Sequence, residues 1–91
     1  LKLSSVKEIL KDVSEEIYLK EGLPHLWVKP KTNKSSSEFS YDLLSKAYVA
    51  VCPGVAFGAA GEGFVRLALV ESEERLIEAS KRIVEYIKNE N

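Results

Sequence analysis

Residues 49–70, VAVCPGVAFGAAGEGFVRLALV, constrain the fold of this chain more than any other stretch. Two apolar runs rich in β-branched residues, each the length of a strand, enclose Pro53 and four of the chain's five glycines, Gly54, Gly58, Gly61 and Gly63. Glycine serves where a backbone takes positive φ or approaches another group closely. The stretch therefore reads as two strands, over residues 48–52 and 64–70, joined by a tight and irregular connection. Arg66 is the one charged residue inside the second run.

The flanks supply helices to cover such strands. Val6, Ile9, Leu10, Val13 and Ile17 recur at helical spacing. Ser4 or Ser5 is placed to cap that helix, which is expected to end near Val13 or Ser14 and to lead into a strand over 16–20. Residues 21–24 form a turn around Gly22 and Pro24. A strand over 25–29 puts Leu26 and Val28 on one face, His25 and Trp27 on the other. Ser37 is expected to cap a helix over 38–46 whose inner side is Phe39, Leu43 and Ala47. Ser72 caps the last helix, with Glu73 and Glu74 in its first turn, Lys88 in its last, and a stripe of Leu76, Ile77, Ile83, Val84 and Ile87. Glu78 faces Arg82 one turn on. The expected fold class is α+β: a small antiparallel or mixed sheet with helices packed on one face.

Ninety-one residues make a single small domain, 1–91. The net charge of −1 gives no electrostatic reason for a nucleic-acid or anionic-membrane partner. No apolar run approaches the roughly 18 residues of a membrane span, and no secretory signal opens the chain. The single cysteine, Cys52, permits no internal disulfide, which points to a reducing, cytoplasmic setting. Cys52 itself reads as a small buried residue between Val51 and Pro53. With His25 alone it cannot make a zinc site. The chain holds no methionine, so it is expected to be a piece of something longer.

Arg66 alternates with Val65, Leu67 and Leu69, so it points away from the core, beside Ala68 and the glycines. A guanidinium on a rigid strand presents a planar fork that matches a carboxylate with two parallel hydrogen bonds. Spacing alone leaves an ordinary surface or salt-bridged arginine as the default. The glycines are not a phosphate cradle: a strand follows them where a P-loop or dinucleotide fingerprint needs a helix. Lys29, Lys31 and Lys34 make the polar 30–37 segment basic, but without interleaved aromatic residues it reads as a solvated loop. No catalytic set is complete.

Residues 53–69 carry a more specific signal. Their P-G-x-x-F-G-x-x-G-x-G, then Phe64, Val65, Arg66, Leu67 and Ala68, resembles the C-terminal motif of class I/II aminotransferases, pyridoxal-phosphate (PLP) enzymes of fold type I. His25-Leu26-Trp27-Val28-Lys29-Pro30 resembles that family's aromatic strand, and Ser72 to Leu76 the start of its terminal helix. Leu23 and Pro24 depart from the glycine and phenylalanine many relatives have there, which puts the shape of the substrate pocket in question.

The resemblance implies the C-terminal small domain of an aminotransferase that exchanges amino groups between an amino acid and a 2-oxo acid. It assigns Arg66 to the substrate's α-carboxylate and implies PLP as cofactor, a homodimeric parent, and a cofactor domain outside this chain. The Schiff-base lysine, with its Ser-x-x-Lys context followed by Gly and Arg, has no counterpart here, since Ser4-Ser5-Val6-Lys7 lacks the rest. The fragment alone is expected to be inactive, with Trp27 and Phe57 exposed where they packed on the absent part. The competing expectation is a stand-alone, non-catalytic interaction module with the same fold.

Overall fold

The computed structural model describes residues 2–19 and 24–90, with side chains from Ser4 onward. Helix α1 (Lys2–Leu10) tightens into a 3-10 turn (Lys11–Val13) before strand β1 (Ser14–Leu19). Strand β2 (His25–Pro30), helix α2 (Ser36–Ala47) and the two-residue strand β3 (Cys52–Pro53) follow. Two 3-10 turns (Gly54–Phe57 and Ala59–Gly61) lead to strand β4 (Val65–Ala68) and helix α3 (Glu73–Glu90). The strands lie in the order β1-β2-β4-β3, antiparallel at every junction. No helix among the described residues is long and apolar enough to cross a membrane.

Alternation along β2 and β4 decides which face the helices cover. Leu26, Val28, Val65 and Leu67 are buried and pack with Val6 and Leu10 of α1, Phe39 and Leu43 of α2, and Leu76, Ile83 and Ile87 of α3. Each fully buried aliphatic or aromatic side chain contributes about 1.5–3 kcal/mol. The α3 stripe is narrower than periodicity suggested, since Ile77 and Val84 are half-buried. Ser80, in line with Leu76 and Ile83, is fully buried and satisfied by donating to the Leu76 carbonyl at 2.7 Å. Tyr86 joins the core, its ring edge-on to Phe39 at 5.5 Å.

Several boundaries moved for local reasons. Helix α1 already begins at Lys2, so Ser4 and Ser5 lie inside it and not ahead of it. Strand β1 starts at Ser14, ahead of the expected 16, and bulges between Ser14 and Glu16. Of the expected turn at 21–24 only Pro24 is described, and the expected end of that strand at Lys20 lies outside the described residues. The cap of α2 is Ser35 and not Ser37: its hydroxyl accepts from the Glu38 N–H at 3.1 Å, as a serine three residues ahead of a glutamate does. Ser72 caps α3 as expected, accepting from the Arg75 N–H at 3.3 Å.

The strand expected over 48–52 shrinks to Cys52–Pro53 because Tyr48 adopts left-handed φ (59°) at the end of α2. The Tyr48 N–H reaches the Leu44 carbonyl and the Val49 N–H the Leu43 carbonyl, both at 3.2 Å. This closure uses up backbone that a longer strand would need. Strand β4 likewise stops at Ala68, although the Leu69 N–H still reaches the Pro24 carbonyl at 2.7 Å.

Candidate functional site

The sheet face away from the helices carries one row of side chains across all four strands. Register sets Tyr18 opposite Trp27, Trp27 opposite Arg66, and Arg66 opposite Cys52. Arg66 is half-buried. Its Cζ lies 4.3 Å from the centroid of the Phe57 ring, and its Nη2 is 3.9 Å from the Cys52 Sγ. Trp27 meets Phe57 edge-on at 5.4 Å and Phe64 at 6.5 Å, and Phe64 meets Tyr18 at 5.9 Å. The Tyr18 hydroxyl donates to Glu16, and Lys29 lies 3.9 Å from the same carboxylate. An aromatic floor thus surrounds one guanidinium.

That guanidinium differs from its two counterparts. Arg75 and Arg82, both on α3, pair with Glu71 at 3.3 Å and Glu78 at 3.0 Å. Among the described residues no carboxylate lies within ion-pair distance of Arg66. A ring on the face of a guanidinium leaves its in-plane N–H donors free. Arg66 therefore presents a fork with no carboxylate partner, its one side-chain hydrogen bond being Nη2 to the Cys52 sulfur, on a largely aromatic surface, an arrangement suited to a carboxylate in two-point contact.

The loop that brings Phe57 there is held at two points. A Cβ on Gly54 would overlap the Gly61 carbonyl oxygen, and one on Gly61 would overlap the Gly54 carbonyl, so the two turns pack backbone to backbone. Gly58 (φ 120°) and Gly63 (φ 94°) supply the reversals. Ser36, at the first position of α2, ties both turns together. The Glu62 carboxylate accepts from its N–H (2.8 Å) and its hydroxyl (3.0 Å), and its hydroxyl accepts from the Val55 N–H at 3.4 Å.

The Ser36 N–H, the Ser36 hydroxyl and the Gly63 N–H hold the Glu62 carboxyl below the usual glutamate range, against the opposing effect of burial. A depressed folded pKa contributes stability that is complete above the unfolded value of about 4.3 and is lost as pH falls through the lower folded value. Urea midpoints measured from pH 7 to pH 3 should therefore fall more steeply below about pH 4.3 for the wild type than for Glu62→Gln. Parallel curves for the two would remove Glu62 from the latch.

Sequence reasoning put Arg66 on the outer face, and the structure does the same, with Leu26 and Val28 inward and Trp27 outward. Cys52 corrects an expectation: it is exposed on β3, because its register partner is Arg66 and both point from the outer face. The group packed on Arg66 is the Phe57 ring, not bare glycine, although Ala68 does leave the neighbouring position open. Phe57 is 49% exposed, while Trp27 is half-buried beneath it.

The basic 30–37 segment is less free than expected. Lys34 donates to Asp42 (2.6 Å), the Tyr86 hydroxyl (2.8 Å) and Glu90 (3.0 Å), which ties the loop to α2 and α3. These bonds raise the Lys34 pKa and lower that of Asp42. A groove of about 580 Å³ between residues 48–50, β4 and α3 is lined by both paired arginines and not by Arg66. The parts that reasoning from sequence missed are Ser36 and Glu62. The one signal for them was a lone carboxylate, Glu62, among glycines and alanines.

The geometry defines a small α+β domain offering an unpaired arginine on an aromatic sheet face. No family model matches the chain. It is 36% identical over 81 residues to LL-diaminopimelate aminotransferase of Natranaerobius thermophilus, covering 89% of this chain and 21% of that one. It is 46% identical over 77 residues to aspartate aminotransferase of Pyrococcus horikoshii, covering 81% and 20%. In structure it matches the aromatic aminotransferase of Pyrococcus horikoshii with a TM-score of 0.89 at 32% identity, over 98% of this chain and 24% of that one. The chain is a homologue of the C-terminal domain of fold type I aminotransferases. It spans about a fifth of the length of the curated relatives it matches.

Proposed function

We propose that this chain is the C-terminal domain of a longer PLP-dependent aminotransferase, and that Arg66 holds the α-carboxylate of its amino-acid and 2-oxo-acid substrates. The observation that carries the reading is the guanidinium without an ion pair: of three arginines, only Arg66 has no carboxylate partner among the described residues. The relatives are named for amino acids with different side chains. What such substrates share is the α-carboxylate, the group that a fixed fork on a rigid strand would orient. The aromatic floor would exclude water around that ion pair and strengthen it.

The glycine loop offers the cofactor no phosphate cradle. Such a cradle would need free backbone N–H donors, yet three of the four loop glycines spend theirs internally. Gly54 donates to the Phe64 carbonyl, Gly58 to Val55 and Gly61 to Gly58. In this reading PLP and its lysine belong to another part of the protein. The 91-residue chain, mixed with PLP and dialysed, should retain no cofactor absorbance and show no transaminase activity. A specific imine on one of its lysines, trapped by borohydride after dialysis, would contradict this division.

A further inference from the structure

We infer that Phe57 is a positioning residue for Arg66: its ring fixes the plane of the guanidinium, and the Ser36–Glu62 latch fixes the ring. The functional meaning of this device rests on the carboxylate reading of Arg66, but its geometry is testable without it. An arginine side chain carries large rotamer entropy, and a fork that must meet both oxygens of a carboxylate gains from being held in one plane beforehand. Salt bridges commonly do this. Arg66 has none among the described residues. Its constraints are the Phe57 ring at 4.3 Å from Cζ, the Cys52 sulfur at 3.9 Å, and Trp27 across the strand pair.

The ring contact suits the task because a guanidinium's N–H groups lie in its plane. A carboxylate partner would consume those donors, whereas an aromatic face consumes none. Trp27, edge-on to Phe57 at 5.4 Å, backs the ring from the sheet side. The loop side is fixed by Ser36, which is 2% exposed and bonds to Val55 in the turn that carries Phe57 and to Glu62 just after the second turn. No other side chain bonded to this loop joins both turns among the contacts described above. Phe57 itself is half exposed, so little core packing explains a large aromatic residue at this point.

The test is NMR on the 91-residue chain, reading the Arg66 Nε–H order parameter with the backbone amide spectrum as control for folding. In the wild type the value should exceed about 0.6, the level below which a group counts as flexible. Phe57→Leu should drop it below that level with the amide spectrum otherwise intact, and Phe57→Tyr, which keeps the ring face, should restore it. Ser36→Ala leaves the ring in place and loosens its mount, so it should lower the value partway and stands in should Phe57→Leu not fold. An order parameter unchanged in Phe57→Leu, or in Ser36→Ala where the first does not fold, would overturn the inference.

Sodium acetate titration of the same Nε–H signal separates this from the carboxylate reading. Acetate should shift the signal in the wild type and bind about two- to tenfold more weakly to Phe57→Leu. No shift in the wild type would count against Arg66 as a carboxylate group, while the order parameters would still decide the role of Phe57.

Discussion

Alanine at position 54 is expected to destabilise the chain by about 3 kcal/mol, toward the upper end of what overpacking costs. The added Cβ would overlap the Gly61 carbonyl oxygen and lie 2.6 Å from that of Phe64, both backbone atoms that cannot rotate aside. Gly54 also donates to Phe64 at 2.7 Å, so relieving the clash breaks the last rung between β3 and β4. A domain of this size has about 5–10 kcal/mol in hand, and urea denaturation would show a large drop in midpoint. Gly58→Ala is the control: its Cβ meets nothing within 4 Å, so only the strain of its positive φ remains. A Gly54→Ala midpoint no lower than that of Gly58→Ala would mean that close approach is not what fixes glycine at 54.

The second large effect concerns Arg66 in the longer enzyme. Arg66→Lys keeps the charge and removes the fork, leaving a point charge on a flexible stem where the proposed role requires two parallel hydrogen bonds. Breaking one partner of a desolvated charge pair costs about 2–5 kcal/mol, so KM for both amino and oxo acids should rise by about 30-fold or more. Stability should change little, because Arg66 makes no ion pair with the described residues and its contacts are a ring and a thiol. A normal KM in a folded Arg66→Lys enzyme would remove this residue from the site.

The fold was legible where burial is decided by period. Alternation in β2 and β4 named Leu26, Val28, Val65 and Leu67 as inward, and the stripe of α3 named Leu76, Ile83 and Ile87. Misreadings fell where local hydrogen bonding competes with propensity. Tyr48 and Val49 look like the start of a strand by composition, yet their N–H groups close the end of α2. Three consecutive serines, 35–37, stand at the start of α2, and sequence alone does not single out its cap. Ser35 takes that role and Ser36 spends its hydroxyl on the glycine loop.

The site was half legible. Parity along β4 is a local property, so it placed Arg66 on the outer face without any knowledge of partners. Its neighbours come from other strands and from a loop, through contacts such as Cys52 to Arg66 and Phe57 to Arg66 that no spacing rule encodes. The motif in residues 53–69 pointed to the family, and the chain's homology and its four-stranded antiparallel sheet agree with it.

The central claim is that Arg66 reads the α-carboxylate, and the most direct measurement compares an amino acid with the amine left when that carboxylate is removed. In the full-length enzyme, kcat/KM for the amino acid should exceed that for the amine by a large factor, and Arg66→Lys should shrink the ratio by about the 30-fold or more that it adds to KM. Discrimination of equal size in wild type and variant would place the carboxylate elsewhere.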